Sequence, residues 1–162
     1  MVELNDMSEE EKKNVIIGMY LGSFYSPIWF LKNHYGEEAL QKYFEENAKA
    51  YAEMMKAFKV NNPLEFLRFY AMNEKNIFKS DVTLKGNEEK AVMEVKDCTK
   101  LKHAVQWAKY GKGPENDITK EKHCLLCLKE IYEPVAEALG FKFESKISPN
   151  GCKIIVSKIG EK

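Results

Sequence analysis

The spacing of apolar residues changes its period near the middle of this chain of 162 residues. Over residues 37–59 the apolar positions recur every three or four residues, which is the period of an amphipathic helix. Residues 80–84 and 91–95 alternate between apolar and polar positions, and so do residues 141–147 and 153–159. A turn lies between the two members of each pair, so each pair predicts an antiparallel β-hairpin.

Caps and prolines predict where the helices begin and end. Ser8, followed by three glutamates, predicts a helix start, and Pro27 predicts that this helix ends near Ser26. A short segment over residues 28–35 follows, and Gly36 separates this segment from the helix over residues 37–59. Further helices are expected from Pro63 onward, over residues 99–110, and over residues 119–140 with a kink at Pro134.

Together these elements predict an α+β fold. N-terminal helices are followed by two antiparallel β-hairpins, near residues 80–96 and 141–159, which form one sheet with helices packed on one face. The length suits a single domain over residues 1–162, with a helical half at 8–78 and a mixed half at 80–159.

Charge and composition point away from nucleic acids. The 25 basic residues equal the 25 acidic residues in number, and Arg68 is the one arginine. Phosphate binding needs a local positive excess, so we expect no nucleic-acid partner. The acidic start resembles no secretory signal, which predicts a cytoplasmic protein with reduced thiols.

Residues 14–31 carry no charge over 18 positions, the lower limit for a helix that spans a membrane. Pro27 and two glycines interrupt this segment, so we predict a buried core helix and no membrane span. Its aromatic side chains fit a core, a dimer seam or the wall of an apolar pocket, and we expect the pocket walls to include Tyr20, Phe24, Tyr25 and Trp29.

Four cysteines point most directly to chemistry: Cys98, Cys124, Cys127 and Cys152. Cys124 and Cys127 share one helix face, and the other two lie at the ends of predicted strands. We therefore expect the sulfurs of Cys124, Cys127 and at least one of the other two to form one metal-sized cluster. Four thiolates complete a closed tetrahedral zinc site, and zinc fits better than an iron–sulfur cluster. The alternatives are buried thiols that pack as small apolar side chains, a redox pair, or a nucleophile.

Several motifs resemble the L-2-amino-thiazoline-4-carboxylic acid hydrolase-like proteins. They are VMEVKDC at 92–98, HCLLC at 123–127 and NGC at 150–152, with WFLKNHYGEEAL at 29–40 upstream. This resemblance implies a hydrolase-like enzyme. In such an enzyme Cys98 or Cys124, or a metal-activated water, would attack, and Asp97 or Glu144 would act as base.

A more distant likeness is to 4-vinyl reductase-type domains, which bind small molecules. In these domains a helix cysteine, a Glu-x2-Cys motif and a final cysteine hold zinc beside a ligand pocket. Cys124 or Cys127, Glu144 and Cys152 match that pattern, whereas Ile147 stands where the motif has a cysteine.

Three functions remain open from the sequence. The first is a domain that binds a small, partly apolar molecule and carries a cysteine metal site. The second is the hydrolase-like enzyme. The third is an interaction module, with a homodimer as one form, that buries residues 14–31 against a partner.

Overall fold

The computed structural model describes residues 6–110 and 118–160. These residues form five α-helices and four strands, in chain order α1 (Glu9–Ala57), α2 (Pro63–Met72), β1 (Asp81–Gly86), β2 (Lys90–Asp97), α3 (Thr99–Tyr110), α4 (Lys120–Leu125), α5 (Glu133–Ala138), β3 (Phe141–Ser148) and β4 (Gly151–Lys158). Two π-helical segments complete the helices: Asn73–Ile77 follows α2, and Leu126–Tyr132 joins α4 to α5. The α+β prediction is confirmed.

The four strands form one antiparallel sheet in the order β1-β2-β4-β3. Both predicted hairpins are therefore present, and β2 pairs with β4 between them. Val82 lies opposite Val95 and Leu84 opposite Met93, so these pairs face the core. Helices α2 and α5 pack on that face. The other face carries exposed charged side chains such as Glu94 and Lys153, so the predicted arrangement of helices on one face is confirmed.

Helix α1 continues through Pro27, and the predicted end at Ser26 is wrong. A proline within a helix removes one backbone hydrogen bond, here to the carbonyl of Ser23. Ser23 is exposed, so water can donate to that carbonyl and the helix continues. The break lies at Gly36, as predicted, where φ is 82°. Residues 9–35 are called the N-terminal arm of α1 below, and residues 37–57 its C-terminal arm.

The N-terminal arm is less buried than expected. Ile17 and Leu21 are buried, but Val15, Ile16 and Met19 are exposed, so the prediction of a core helix is wrong for most of this segment. By length and composition α1 is apolar enough to cross a membrane, and 11% of its most apolar window is buried. The two buried residues of the arm, Ile17 and Leu21, pack against Phe78 and Ala104.

The predicted kink at Pro134 takes the form of a change in helical register. Proline has no N–H for the carbonyl four residues earlier. The preceding segment widens to π-helix, and the N–H of Glu133 bonds to the carbonyl of Leu128, five residues back. The same pairing occurs after α2, where the N–H of Phe78 bonds to the carbonyl of Asn73. Such segments re-aim side chains and are frequent at functional sites.

Candidate functional site

The structure brings the four cysteines to one place. Cys98 follows β2, Cys124 lies in α4, Cys127 in the second π-helical segment and Cys152 in β4. All four line a single narrow void of about 20 Å³, together with His123 and Gly151. A void of this size holds about one water molecule.

Gly151 explains how Cys152 reaches the void. A Cβ atom at Gly151 would lie 1.9 Å from the backbone oxygen of Val95, so only glycine lets β4 approach β2 this closely. Cys152 then pairs with Val95 in the sheet. The turn before it also fixes Cys98, whose N–H donates to the carbonyl oxygen of Asn150 at 2.8 Å. The NGC motif therefore sets the positions of two of the cysteines, Cys98 and Cys152.

The cysteines are free thiols. Within residues 6–110 and 118–160, no three His, Cys, Asp or Glu side chains are arranged to hold one metal ion. Burial raises the pKa of the Cys98 and Cys124 thiols to about 11. Burial also raises the pKa of Cys127 and of Cys152. In this arrangement the sulfurs are protonated at neutral pH.

We therefore expect all four thiols to react slowly in the folded protein. At a pKa of about 11, about 100-fold less thiolate is present at pH 7 than for a thiol at the ordinary value of 9.0. Reaction with dithiodipyridine should be at least that much slower in buffer than in urea. One thiol that reacts fast in buffer with an apparent pKa below 8 would contradict this and favour a nucleophile.

A buried ion pair borders the same void. The Nζ atom of Lys100 contacts Glu74 Oε1, and both side chains are 4% exposed. The Tyr132 hydroxyl donates to Glu74 Oε1 at 3.3 Å, and the Ser80 hydroxyl donates to Oε2 at 3.1 Å. Each carboxylate oxygen therefore has a donor, which a buried charge requires.

Aromatic rings surround the ammonium group of Lys100. Its Nζ atom lies 4.8 Å from the ring centre of Phe78, 5.5 Å from Tyr20 and 5.8 Å from Tyr132. Burial by itself favours the neutral amine, but Tyr132, Tyr20 and the Glu74 carboxylate outweigh it and hold the pKa of Lys100 well above its usual value. Lys100 is a fixed cation here and does not serve as an amine nucleophile.

Lys100 and Tyr132 also line a larger cavity of about 490 Å³. Both arms of α1, helix α2 and the second π-helical segment line it. Aromatic side chains dominate the lining, namely Tyr20, Phe24, Tyr43, Phe44, Tyr51, Phe69, Tyr70, Phe78 and Tyr132. Lys100 and Tyr132 also line the cysteine void, so these two side chains border both spaces.

Two of the four predicted pocket residues, Tyr20 and Phe24, line this cavity. Tyr25 points to the cysteine side, where its hydroxyl lies 2.6 Å from His123 Nδ1. Trp29 is 43% exposed and its ring packs against His34. Helical geometry explains why Tyr20 and Phe24 both line the cavity, because they are four residues apart and so lie on one face of the arm.

The two candidate carboxylates lie away from the cysteines. Asp97 pairs with Lys102 at 2.6 Å on the surface. Glu144 is exposed on the charged face of the sheet, opposite the core, and pairs with Lys142 at 2.8 Å. Glu74, which sequence reasoning missed, is the carboxylate beside the void.

His123 is a neutral base at this site. Burial and the charge on Lys100 lower the pKa of His123 to about 4. Nδ1 of the neutral ring shares a hydrogen bond of 2.6 Å with the Tyr25 hydroxyl, and this contact holds the ring in place.

This low pKa predicts a loss of stability in mild acid. The unfolded chain takes up a proton at His123 near pH 6.5, whereas the folded protein does so only near pH 4. Between these values the free energy of unfolding should fall with decreasing pH by up to about 1.4 kcal/mol per unit from this residue. Urea unfolding of the wild type and His123→Gln across pH 4 to 7 measures the difference. His34→Gln is the exposed control, and equal slopes for all three proteins would contradict the prediction.

No family model matches the chain, and no curated protein matches it. The two resemblances read from the sequence therefore remain predictions.

Proposed function

We propose that the protein binds a small, largely apolar molecule in the cavity between the two arms of α1. The observation that supports this most is the cavity itself, whose volume of about 490 Å³ falls within the usual range for ligand pockets. Most of its wall residues are aromatic, and its polar side chains are Lys100, Ser23, Asn47, Asn73 and the tyrosines. Apolar walls with a few placed polar groups are the usual form of a ligand site.

The hydrolase alternative has less support from the site. A cysteine nucleophile needs a thiolate, and burial raises the pKa of all four thiols. Asp97 and Glu144 are each paired with a lysine at the surface and do not line the void. Burial as small apolar side chains is the role that this environment favours for the cysteines.

Zinc remains the metal that four thiols and a histidine would select. The side chains of residues 6–110 and 118–160 do not have the arrangement that zinc requires. Elemental analysis of protein purified without chelator checks this point directly.

The interaction module rests on one observation, the exposed Val15, Ile16 and Met19 of the N-terminal arm. Gel filtration with light scattering separates this function from the first, because a module that pairs through this face would elute as a dimer or larger assembly.

The cavity predicts where an apolar probe binds. Propionyl-dimethylaminonaphthalene, whose emission shifts to the blue in apolar surroundings, should bind the wild type with one site. Ser23→Trp places a large ring at the cavity wall and should weaken binding at least about tenfold, which is 1.4 kcal/mol.

Ser26→Trp is the matched control, because Ser26 is exposed on the same arm and is not among the lining residues. Its affinity should stay within about twofold of the wild type, a change of about 0.4 kcal/mol. Equal losses for both variants, or no binding to the wild type, would contradict the proposal.

A further inference from the structure

Two side-chain amides line the cavity, and a ligand can reach both of them. Asn47 lies on the C-terminal arm of α1, and Asn73 begins the first π-helical segment. Both residues are half-buried, and neither amide hydrogen-bonds to a residue that the structure describes. Among the described residues, the Tyr70 hydroxyl is the one buried side-chain N or O atom that lacks a partner. The amide atoms of Asn47 and Asn73 are therefore accessible and free to bind.

The C-terminal arm keeps charged side chains out of the cavity. Its lining residues are Tyr43, Phe44, Asn47, Tyr51 and Met54, and Tyr51 is uncharged although it is 42% exposed. The other exposed positions of this arm are mostly charged, and they include Lys42, Glu45, Glu46, Lys49, Glu53 and Lys56. Polarity on the cavity side of this arm is thus supplied by neutral groups.

The charged side chain in the cavity wall is already paired. Among the described lining residues, Lys100 is the one with a charge, and its ammonium group contacts Glu74. Both side chains are 4% exposed, so the pair adds no net charge to the wall. A charged ligand would lose its water shell without gaining a counter-charge, whereas an uncharged ligand avoids this cost.

The chemistry of an amide limits the ligand further. An asparagine side chain offers an N–H donor and a carbonyl acceptor next to each other, so a group with only one of the two satisfies half of it. A planar edge that carries an adjacent donor and acceptor satisfies both, which is how asparagine binds the edge of adenine. The rings of Tyr20 and Phe24, stacked with centres 5.8 Å apart, supply a flat apolar surface beside these groups.

We propose that the ligand is an uncharged planar heterocycle with an adjacent N–H and carbonyl group, as in a cyclic amide, and that Asn47 and Asn73 hydrogen-bond to these groups. This inference rests on the proposed function, because it names the ligand class of the same cavity. The aromatic side chains contact the ring faces, and the two amides distinguish a polar edge from an apolar one.

Four matched probes test the ligand class: quinolin-2-one, quinoline, naphthalene and 2-naphthoate. They share a fused two-ring body, and they carry respectively an N–H with a carbonyl, an acceptor alone, no polar atom and a negative charge. The wild type should bind quinolinone more tightly than quinoline. It should bind naphthoate at least about tenfold more weakly than quinolinone, because the carboxylate finds no unpaired cation in the wall.

Asn47→Leu and Asn73→Leu should each weaken quinolinone binding about 3- to 10-fold, the value of one hydrogen bond. Leucine has nearly the shape of asparagine, so naphthalene binding should not weaken, and this shows that the cavity is intact. Asn76→Leu is the matched control, because Asn76 is exposed on the same π-helical segment and is not among the lining residues. Both affinities of this control should stay within about twofold of the wild type.

The other outcomes overturn the inference in distinct ways. Tighter binding of naphthoate than of quinolinone shows an anion site. Binding of quinolinone that neither Asn47→Leu nor Asn73→Leu weakens removes the amides as the polar contacts and leaves the cavity as a binding site. If no probe binds the wild type, the proposed function is rejected along with the ligand class.

Discussion

Replacing Glu74 with alanine should destabilise the protein by about 3–5 kcal/mol. The substitution leaves the ammonium group of Lys100 without its carboxylate in a place where the side chain is 4% exposed. Breaking a buried pair by removing one partner is costly because the remaining charge is desolvated and uncompensated. Urea unfolding at pH 7 measures the loss.

Removing both charges should recover most of that stability. In Glu74→Leu/Lys100→Met the apolar side chains fill the same space next to Phe78 and Tyr20, and no buried charge remains. The double variant should therefore be more stable than either single change. This recovery distinguishes a buried ion pair from a simple loss of packing. If only packing were lost, the destabilisation of the double variant would be the sum of the two single losses.

Glu46→Ala provides the control for exposed pairs. Glu46 contacts Lys49 at 2.9 Å, and more than half of each side chain is exposed. Its removal should leave the urea midpoint unchanged. If Glu74→Ala behaved like Glu46→Ala, the buried ion pair would not exist in the folded protein.

Gly151→Ala should cost on the order of 3 kcal/mol or more. The added Cβ atom would lie 1.9 Å from the backbone oxygen of Val95 and 2.8 Å from its carbonyl carbon. Both atoms belong to Val95, the last residue of β2 that pairs with β4, so the clash has to open that end of the β2–β4 pairing. The loss also displaces Cys152 from the void.

Gly22→Ala is the matched change in open space. Nothing lies within 4 Å of a Cβ atom at Gly22, which is inside α1. Alanine there should stabilise the protein by about 0.5–1 kcal/mol, since glycine loses more backbone freedom on folding. Thermal or urea unfolding of the two variants should show a loss of stability for Gly151→Ala and a gain for Gly22→Ala. A Gly151→Ala protein as stable as the wild type would contradict the close approach of the strands.

The sheet could be predicted because its cause is local. Alternation in each strand and a turn within each hairpin are visible in short windows of sequence, and they specify both hairpins before any tertiary contact forms. The continuation of α1 through Pro27 could not be predicted in the same way. Whether a proline breaks a helix depends on the surroundings of the freed carbonyl, and Ser23 turned out to be exposed.

Part of the site could be predicted from the sequence. The four cysteines stand out by residue type, and their positions on one helix face and at the ends of strands predict that they meet. In the sequence Lys100 and Glu74 look like ordinary surface charges, because they are buried by contacts with residues distant in the chain, such as Tyr20 and Tyr132. One signal was available: Lys100 is four residues before the fully buried Ala104 and so lies on the buried stripe of α3.

The most direct test of the proposed function is a crystal structure with a brominated acetylnaphthalene, in which anomalous scattering locates the bromine. We expect one strong peak inside the cavity, between Tyr20 and Tyr70. A peak on the exposed face formed by Val15, Ile16 and Met19, and none in the cavity, would show that the probe binds the surface and would contradict the proposed function.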